Sequence, residues 1–327
     1  MAFNKITDKL LSKSNSYNFY KEQYESDFNK RILEIERMLD VHQEFLNNLF
    51  IYHEFEPTPY LAGMRNLSYE LLKFVENVCK KYELEWWIDY GTLLGAVRHG
   101  DFVPWDDDLD SGMMREDYNK FIDIIPKEIE ENNLEKVIAA YKLDRTDIQT
   151  KRWYQVRYQY PGFKNTFTTV DIFPYDYIKN YNNEDIKDDY YDCIRNYYNY
   201  PKDHDMSDYM QEVFEKLNLT LDRDEYIIAG VENVRGRGIP RVTMYPYKIF
   251  ETKELFPLKK TNFGKYDYPV PNDSVTYLKN IYGNNYLMIP KKVRDHKRLN
   301  RFIQEENILE MLQEGIDMLQ KANENLE

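Results

Sequence analysis

The chain has 327 residues, a net charge of −13 and 42% hydrophobic residues, so it is long enough to bury the core of one large domain or of two smaller ones. The acidic balance argues against binding to nucleic acid, and two distant cysteines exclude a disulfide framework. The sequence shows neither a membrane span of ~20 apolar residues nor the apolar segment of a signal peptide. We therefore expect a cytoplasmic protein, and peripheral contact with the inner face of the membrane stays open.

The N-terminal region is predicted to form one long amphipathic helix, because apolar residues recur at helical spacing from Phe28 to Ile51. Its polar face carries charges of both signs, whereas a membrane-surface helix would be mainly basic. Packing on the domain or pairing with another helix is therefore favoured over membrane contact. A homodimer formed through this helix stays open.

The next elements alternate between helix and strand. A helix is predicted from about Ala62 to Tyr82, and the aromatic run EWWIDY at 85–90 is typical of a short buried strand. A second helix begins at Gly91-Thr92 and ends at Gly100, a DFVPW loop follows, and DDLDSGMM is predicted to be the next strand.

The remainder of the chain predicts a mixture of helices and strands. Residues 151–173 are predicted to form two strands around a turn, and helices are predicted at 116–125, 181–230, 273–283 and 300–325. The fold class is therefore α+β, or mixed α/β, with helices flanking a small mixed sheet.

Residues 91–110, GTLLGAVRHGDFVPWDDDLD, place four aspartates in an apolar and aromatic setting. In a strand, Asp108 and Asp110 share one face, Asp106 joins them if the strand begins early, and Asp107 points away. Paired carboxylates are ligands that Mg²⁺ or Mn²⁺ prefers. Without a metal ion, we expect one carboxyl to raise the pKa of the other.

Two further features predict a site for phosphoryl transfer. Gly91 and Thr92 lie at a helix N-terminus, where free N–H groups and the helix dipole favour a phosphate. Asp171, in the apolar run TTVDIFP, is the candidate third carboxylate, either as a metal ligand or as a general base. A metal ion that bridges phosphate oxygens is a common arrangement for phosphoryl transfer.

The order of strand, Gly-Thr, helix, Asp-x-Asp and a later Asp resembles the nucleotidyltransferase fold. The segment WWIDYGTLLGAVRHGDFVPWDDDLD at 86–110 resembles the hallmark of the LicD family, which includes the fukutin-like proteins. Matching segments follow in order: VDIFPYDYI at 170–178, FPLKKTNFGKYDYPVPND at 256–273, YLKNIYGNNYLMIP at 277–290, and His296. One departure is Ser111, where an apolar residue more often precedes the glycine.

The extent of this resemblance predicts the organisation of the chain. Residues 1–60 are an N-terminal helical extension, residues 61–300 a LicD-like catalytic domain with a nucleotidyltransferase-like core, and residues 301–327 a C-terminal helix.

The resemblance implies a metal-dependent transferase that moves phosphocholine from CDP-choline to a hydroxyl of a cell-surface glycan, such as teichoic acid or lipopolysaccharide. Asp108 and Asp110 match the metal-binding acids, and Asp171 matches the third acid of the broader fold. The implied partners are a CDP-linked donor, with CDP-choline favoured, and a sugar or lipid-linked glycan acceptor; the cofactor is Mg²⁺ or Mn²⁺. The alternatives are transfer of another CDP-linked group, such as ribitol or glycerol phosphate, transfer of a nucleotide, and a non-catalytic glycan-binding scaffold.

Other polar residues are candidates for substrate binding. Arg98 is equally consistent with phosphate binding and with an interaction with the helix dipole. Asp106 is a candidate to bind a second metal ion or the substrate. The alternative is that its hydrogen bonds form a turn that fixes the loop. His296 lies in a basic segment that could bind nucleotide or acceptor. Arg235 and Arg237, in RGRG, could contact a phosphate or form a solvated loop.

Overall fold

The computed structural model describes residues 2–52, 57–143, 150–163, 166–182, 186–201, 206–233, 247–290 and 307–326. Three predicted binding residues, Arg235, Arg237 and His296, lie outside these ranges. The chain divides into two compact units, Met1–Phe55 with Met288–Val293, and Glu56–Leu287 with Arg294–Glu327.

The first unit contains one helix of 51 residues, α1 (Ala2–Tyr52), which begins well before the predicted start at Phe28. Within this unit the side-chain oxygen of Asn47 accepts a hydrogen bond from the backbone N–H of Ile289 at 2.7 Å. The amide of Gln43 donates to the carbonyl of Ile289. Across the part of the chain that the structure describes, no helix combines the length and apolar character needed to cross a membrane.

The second unit contains the sheet and its helices. Its helices are α2 (Pro59–Lys81), α3 (Tyr90–His99), α4 (Arg115–Glu131), α5 (Lys187–Asn199), α6 (Met206–Lys216), α7 (Thr252–Leu255), α8 (Ser274–Tyr282) and α9 (Ile308–Leu326). Its strands are β1 (Trp87–Ile88), β2 (Leu109–Met114), β3 (Val137–Leu143), β4 (Lys151–Tyr158), β5 (Thr168–Ile178), β6 (Leu219–Thr220), β7 (Tyr226–Ala229), β8 (Ile249–Glu251), β9 (Lys259–Phe263) and β10 (Tyr266–Val270).

Eight of these strands form one mixed sheet, which confirms the predicted fold class. Its central path is β1-β2-β5-β4-β3; β2 and β5 run parallel, and the other neighbours on this path are antiparallel. The long strand β5 also pairs with β6 and β7 through its second half, and β7 pairs with β8. Strands β9 and β10 form a separate hairpin.

Close packing holds the short strand β1 against β2. Trp87 lies opposite Gly112, where a Cβ atom would come within 2.4 Å of the indole ring. Only glycine leaves room for this contact. The pairing with Ser111 and Gly112 therefore sets the position of β1, the strand that precedes α3.

The C-terminal helix α9 packs against α2. Asn323 donates to the carbonyl of Glu70 at 3.1 Å, and the side-chain amide of Asn77 donates to Asn323. A Cβ atom at Gly315 would lie 2.7 Å from the ring of Tyr158 on β4, so α9 also lies close to the sheet. The helix therefore belongs to the same hydrophobic core as the strands.

Many tyrosines between residues 181 and 230 are buried in a second, smaller core. This cluster includes Tyr190, Tyr197, Tyr198 and Tyr209 from α5 and α6. The prediction of a helical region from 181 to 230 is correct for these two helices and wrong for residues 219–229, which supply β6 and β7. These short strands pair with β5, a partner distant in sequence, so local periodicity does not reveal them.

Candidate active site

Two carboxylates face each other across the parallel strands at the centre of the sheet. Asp110 on β2 is the direct neighbour of Asp171 on β5 in the strand register. Both side chains are buried. The side chains of directly opposed residues project to the same face of a sheet, so these two predicted site residues are brought together.

The other acidic residues of the run lie in a loop, and this corrects the prediction of an early strand. Strand β2 begins at Leu109, so Asp106, Asp107 and Asp108 precede it. The N–H of Asp106 donates to the carbonyl of Val103 at 2.8 Å in the turn that contains Pro104. Strand alternation therefore does not apply to these three residues.

The same loop brings three carboxylates together. Carboxylate oxygens of Asp106, Asp107 and Asp108 lie within 4.8 Å of one another, a spacing that suits a metal ion. The expectation that Asp107 points away from this group is therefore wrong. Arg65 on α2 donates to the carbonyls of Val103 and Pro104 at 3.4 and 3.3 Å and holds the start of the loop.

The N-terminus of α3 is built around a buried aspartate. Asp89 is the N-cap, and its Oδ1 accepts from the N–H of Tyr90 at 2.8 Å. The hydroxyls of Tyr175 and Tyr277 donate to the same carboxylate at 2.5 and 3.1 Å. Burial raises the pKa of Asp89 to about 6, while these hydrogen bonds oppose the rise.

Two backbone N–H groups of this turn donate hydrogen bonds to Asp110. Asp89 donates its N–H to the carbonyl of Asp110 at 2.9 Å, and Gly91 donates its N–H to the carboxylate of Asp110 at 3.0 Å. Tyr90, between them, has a positive φ of 36°, a conformation that costs free energy in a residue other than glycine. A Cβ atom at Gly91 would lie 2.7 Å from Asp106 Oδ2 and 3.3 Å from Asp110 Oδ2. Glycine is therefore required for both carboxylates to approach the turn.

Thr92 also contacts Asp110. Its hydroxyl oxygen accepts the backbone N–H of Asp110 at 2.7 Å, and the residue is buried. Phosphate binding by Gly91 and Thr92 stays a prediction. In this structure their polar groups hold Asp110 in place.

The electrostatics of Asp110 agree with the expectation from the sequence. Burial and the nearby charges of Asp108, Asp171 and Asp106 raise its pKa well above the ordinary value, and the hydrogen bond from Gly91 opposes this rise. Three other carboxyl groups thus act on the buried carboxyl of Asp110. A cation with oxygen ligands would offset this repulsion.

Asp171 is oriented by an amide from the neighbouring strand. Gln155 on β4 is its direct neighbour in the register, and Gln155 Nε2 donates to Asp171 Oδ1 at 2.5 Å. Ser111 donates its hydroxyl to the carbonyl of Asp171 at 3.1 Å. The amide of Gln155 is therefore a hydrogen-bond partner of this buried acid.

Arg98 lies in the last turn of α3, where a positive charge interacts favourably with the helix dipole, and it also makes specific contacts. Its guanidinium donates to the carbonyl of Tyr286 at 3.3 Å and to the imidazole of His99 at 2.8 Å, and it lies over the ring of Trp105 at 5.5 Å. Burial, followed by the charge of Arg98, lowers the pKa of His99 to about 4, so this histidine is neutral at pH 7. Arg98 is thus a cation held next to the loop that carries Asp106, Asp107 and Asp108, which we call the acidic loop.

Sequence reasoning missed three residues of the site. Asp89 could have been found as an N-cap, because aspartate is favoured immediately before a helix. Gln155 had no local signal, since its partner depends on strand register. Tyr282, at the end of α8, keeps 42% of its surface exposed, yet burial of its hydroxyl and the charges of Asp110, Asp89 and Asp106 raise its pKa.

Comparison with known proteins supports the resemblance seen in the sequence. Residues 83–220 match the sequence model of a family described as LicD/FKTN/FKRP, nucleotidyltransferase domain. This range contains α3, the acidic loop, β2, β4 and β5, and therefore the acidic residues described above. The predicted relation to the LicD and fukutin-like proteins is confirmed.

Individual relatives share parts of this domain. The lipopolysaccharide cholinephosphotransferase LicD of Haemophilus influenzae is 32% identical over 116 residues, which cover 34% of this chain and 42% of that protein. The ribitol 5-phosphate transferase FKRP of Homo sapiens is 38% identical over 69 residues, or 21% of this chain and 13% of that protein. An uncharacterized protein of Rickettsia prowazekii is 44% identical over 68 residues, or 20% and 26% of the two chains. The matched segments thus span less than half the length of these relatives.

Proposed function

We propose that this protein is a metal-dependent phosphotransferase, because residues 83–220 match the model of the LicD/FKTN/FKRP nucleotidyltransferase family. It moves phosphocholine from CDP-choline to a hydroxyl of a cell-surface glycan of the teichoic acid or lipopolysaccharide type. The observation that carries the proposal is the direct opposition of Asp110 and Asp171 on parallel strands, with the acidic loop beside them. The acceptor is a sugar or a lipid-linked glycan, and the reaction takes place in the cytoplasm or at the inner face of the membrane.

The proposed cofactor is Mg²⁺ or Mn²⁺, held by Asp108, Asp110 and Asp171. The fit rests on the donor set, which consists of carboxylate oxygens, and on the raised pKa of Asp110, which reflects its burial and then the nearby charges of Asp108, Asp171 and Asp106. When bound, the ion would offset charge on the diphosphate and on the leaving CMP. Asp106, in the loop before β2, and Arg98, in the last turn of α3, would contribute to substrate binding.

In the proposed reaction, a glycan hydroxyl attacks the phosphorus that bears choline. A new P–O bond forms to the glycan, the P–O bond to the phosphate of CMP breaks, and CMP leaves with the bonding electrons. Asp171 takes the proton of the attacking hydroxyl. The hydrogen bond from Gln155 to Asp171 Oδ1 orients this carboxylate for the transfer.

A related donor is the second candidate. The similarity to a ribitol 5-phosphate transferase supports transfer of ribitol phosphate from CDP-ribitol as an alternative. Glycerol phosphate transfer, nucleotide transfer and a non-catalytic glycan-binding role are the further alternatives. They differ in the phosphorus that is attacked and in the ligand that binds, so one binding panel separates them.

The first experiment is a thermal-shift panel with Mg²⁺ and CDP-choline, CDP-ribitol, CDP-glycerol, CTP and ATP. A ligand that binds the folded state raises the unfolding temperature in a concentration-dependent way. We expect the largest Mg²⁺-dependent rise with CDP-choline. A larger rise in unfolding temperature with another CDP-linked compound would identify that compound as the donor. A response to CTP or ATP alone would indicate nucleotide transfer. No response to any compound would favour the non-catalytic glycan-binding scaffold.

The second experiment measures CMP release from the donor that binds, with bacterial cell-wall glycans as acceptors. Asp110→Asn should lower turnover by at least a hundredfold, because it removes charge at the proposed metal site. Asp267→Asn, which changes an exposed carboxylate on β10, is the matched control and should retain full activity. Full activity of Asp110→Asn would contradict the proposed role.

A further inference from the structure

Helix α1 carries a seven-residue repeat of apolar side chains. Its members alternate in steps of four and three residues: Phe28, Ile32, Ile35, Leu39, His42, Leu46 and Leu49. If the heptad is written with Ile32, Leu39 and Leu46 at position a, then Phe28, Ile35, His42 and Leu49 occupy position d. We call this row the seam. A repeat of this kind over three heptads is the pattern of a coiled coil.

The apolar seam is exposed in the single chain. Phe28, Ile35 and Leu39 keep 53%, 57% and 50% of their surface exposed. Within the first unit, the contacts of α1 to Ile289 come from Gln43 and Asn47, which occupy positions e and b and lie off the seam. A long single helix in water is marginally stable without burial of its apolar face. The seam therefore requires a partner.

We propose that the seam pairs with the same seam of a second copy of this chain, in a parallel, in-register coiled-coil dimer. The paired region, from Phe28 to Leu49, would be about 32 Å long at the rise of an α-helix. This interaction is independent of the proposed transferase activity, because it involves the first unit alone.

Charge complementarity identifies the second copy as the partner. In a parallel pair, position g of one helix lies near position e of the next heptad on the other helix. Arg31 occupies position g and Glu36 the following position e, so the dimer forms this ion pair twice by symmetry. An antiparallel pair would not bring Arg31 to Glu36. The single polar residue of the seam, His42, meets its own copy only in the parallel register, and such a residue can fix register.

A membrane surface is the less suitable partner. Between residues 20 and 49 the helix has four basic and seven acidic side chains. Interfacial helices are rich in lysine and arginine, which attract anionic lipids. The charge of α1 opposes this attraction.

The first test is the oligomeric state of the full chain by sedimentation velocity at several concentrations. We expect a dimer for the wild type and a monomer for Leu39→Asp, which places a charge in the seam. The matched control is Val41→Asp, because Val41 is also an exposed aliphatic residue of α1, 66% exposed, but lies at position c, outside the seam. This control should remain a dimer, with the same helical content by circular dichroism.

The second test reverses the proposed ion pair. Arg31→Glu and Glu36→Arg alone should each weaken the dimer roughly tenfold, because each sets like charges against each other twice. The double variant R31E/E36R restores the pair in the opposite sense and should recover the wild-type dissociation constant within about threefold.

Three results would overturn the proposal. A monomeric wild-type chain would exclude the dimer, and co-sedimentation of that monomer with phosphatidylglycerol vesicles would favour the membrane instead. A dimeric Leu39→Asp variant would place the interface outside the seam. A double variant no tighter than the single variants would exclude the parallel register.

Discussion

At the scale of single residues, the candidate site depends on a buried acid that is not among the proposed metal ligands. Asp89 lies entirely inside the core, where Tyr175, Tyr277 and the N–H of Tyr90 donate to it. Its backbone N–H donates to Asp110, so its placement sets the position of the acidic pair. We infer that Asp89 is a positioning residue for Asp110.

The raised pKa of Asp89 predicts a specific dependence of stability on pH. The pKa rises from 3.8 in the unfolded chain to about 6 in the folded protein, so the folded state binds more protons between these values. The free energy of unfolding should therefore fall as the pH rises from 4 to 6, by an amount on the order of 3 kcal/mol. Urea unfolding of the metal-free protein across this range measures the fall. Asp89→Asn should remove this component, and an unchanged pH profile in the variant would refute the assignment.

A second residue-scale prediction concerns Thr92. Its hydroxyl is the acceptor for the buried N–H of Asp110. Thr92→Val keeps the shape but leaves that N–H unpaired, which should lower the free energy of unfolding by about 1–3 kcal/mol. Thr92→Ser keeps the oxygen and should cost about 1 kcal/mol or less through the lost methyl group. Urea midpoints of the two variants provide the measurement, and equal losses would show that the hydroxyl has no such role.

At the scale of elements, local sequence signals predicted the presence of most helices better than the limits of helices and strands. The end of α3 at Gly100 follows from the left-handed conformation of that residue, with φ of 65°. Asp107 and Asp108 were expected to begin the strand, with Asp106 included only if the strand began early, but the turn at Val103–Asp106 and the contacts from Arg65 hold these residues in a loop. Such contacts join residues that are distant in sequence, so alternation alone cannot reveal them.

The cross-strand pair of Gln155 and Asp171 gives an element-scale prediction, which rests on the proposed function. Gln155→Met keeps the volume of a buried side chain but removes the amide that orients Asp171. We expect kcat for CMP release to fall about 10–100-fold, as for other groups that orient a ligand, with KM for the donor nearly unchanged.

The same substitution elsewhere on the chain controls for this effect. Gln159 lies just beyond β4, and its amide donates to the carbonyl of Phe163 at 3.1 Å, outside the site. Gln159→Met should leave kcat unchanged. A rise in KM alone for Gln155→Met would indicate a role in donor binding instead of orientation of Asp171.

At the scale of the whole molecule, the sequence predicted the fold class but not how the distant parts meet. The pairing of Asp110 with Asp171 depends on the parallel register of β2 and β5, and the residues between them include two further strands. The sequence motif indicated that both acids belong to one site, whereas the role of Gln155 followed only from the register. Likewise, the helix near the C-terminus was predicted as an element, but its burial against α2 was not.

That burial leads to a prediction for the second unit as a whole. Leu319 on α9 is fully buried among core residues, whereas Leu309 on the same helix is 44% exposed. Leu319→Ala should lower the free energy of unfolding by about 2–5 kcal/mol, because it removes transfer free energy and leaves a cavity. Leu309→Ala should change it by about 0.5 kcal/mol or less.

Urea unfolding followed by tryptophan fluorescence reports on the core directly, since Trp87 and Trp153 are buried in the same cluster. Equal effects of the two substitutions would mean that α9 contributes little to the stability of the sheet.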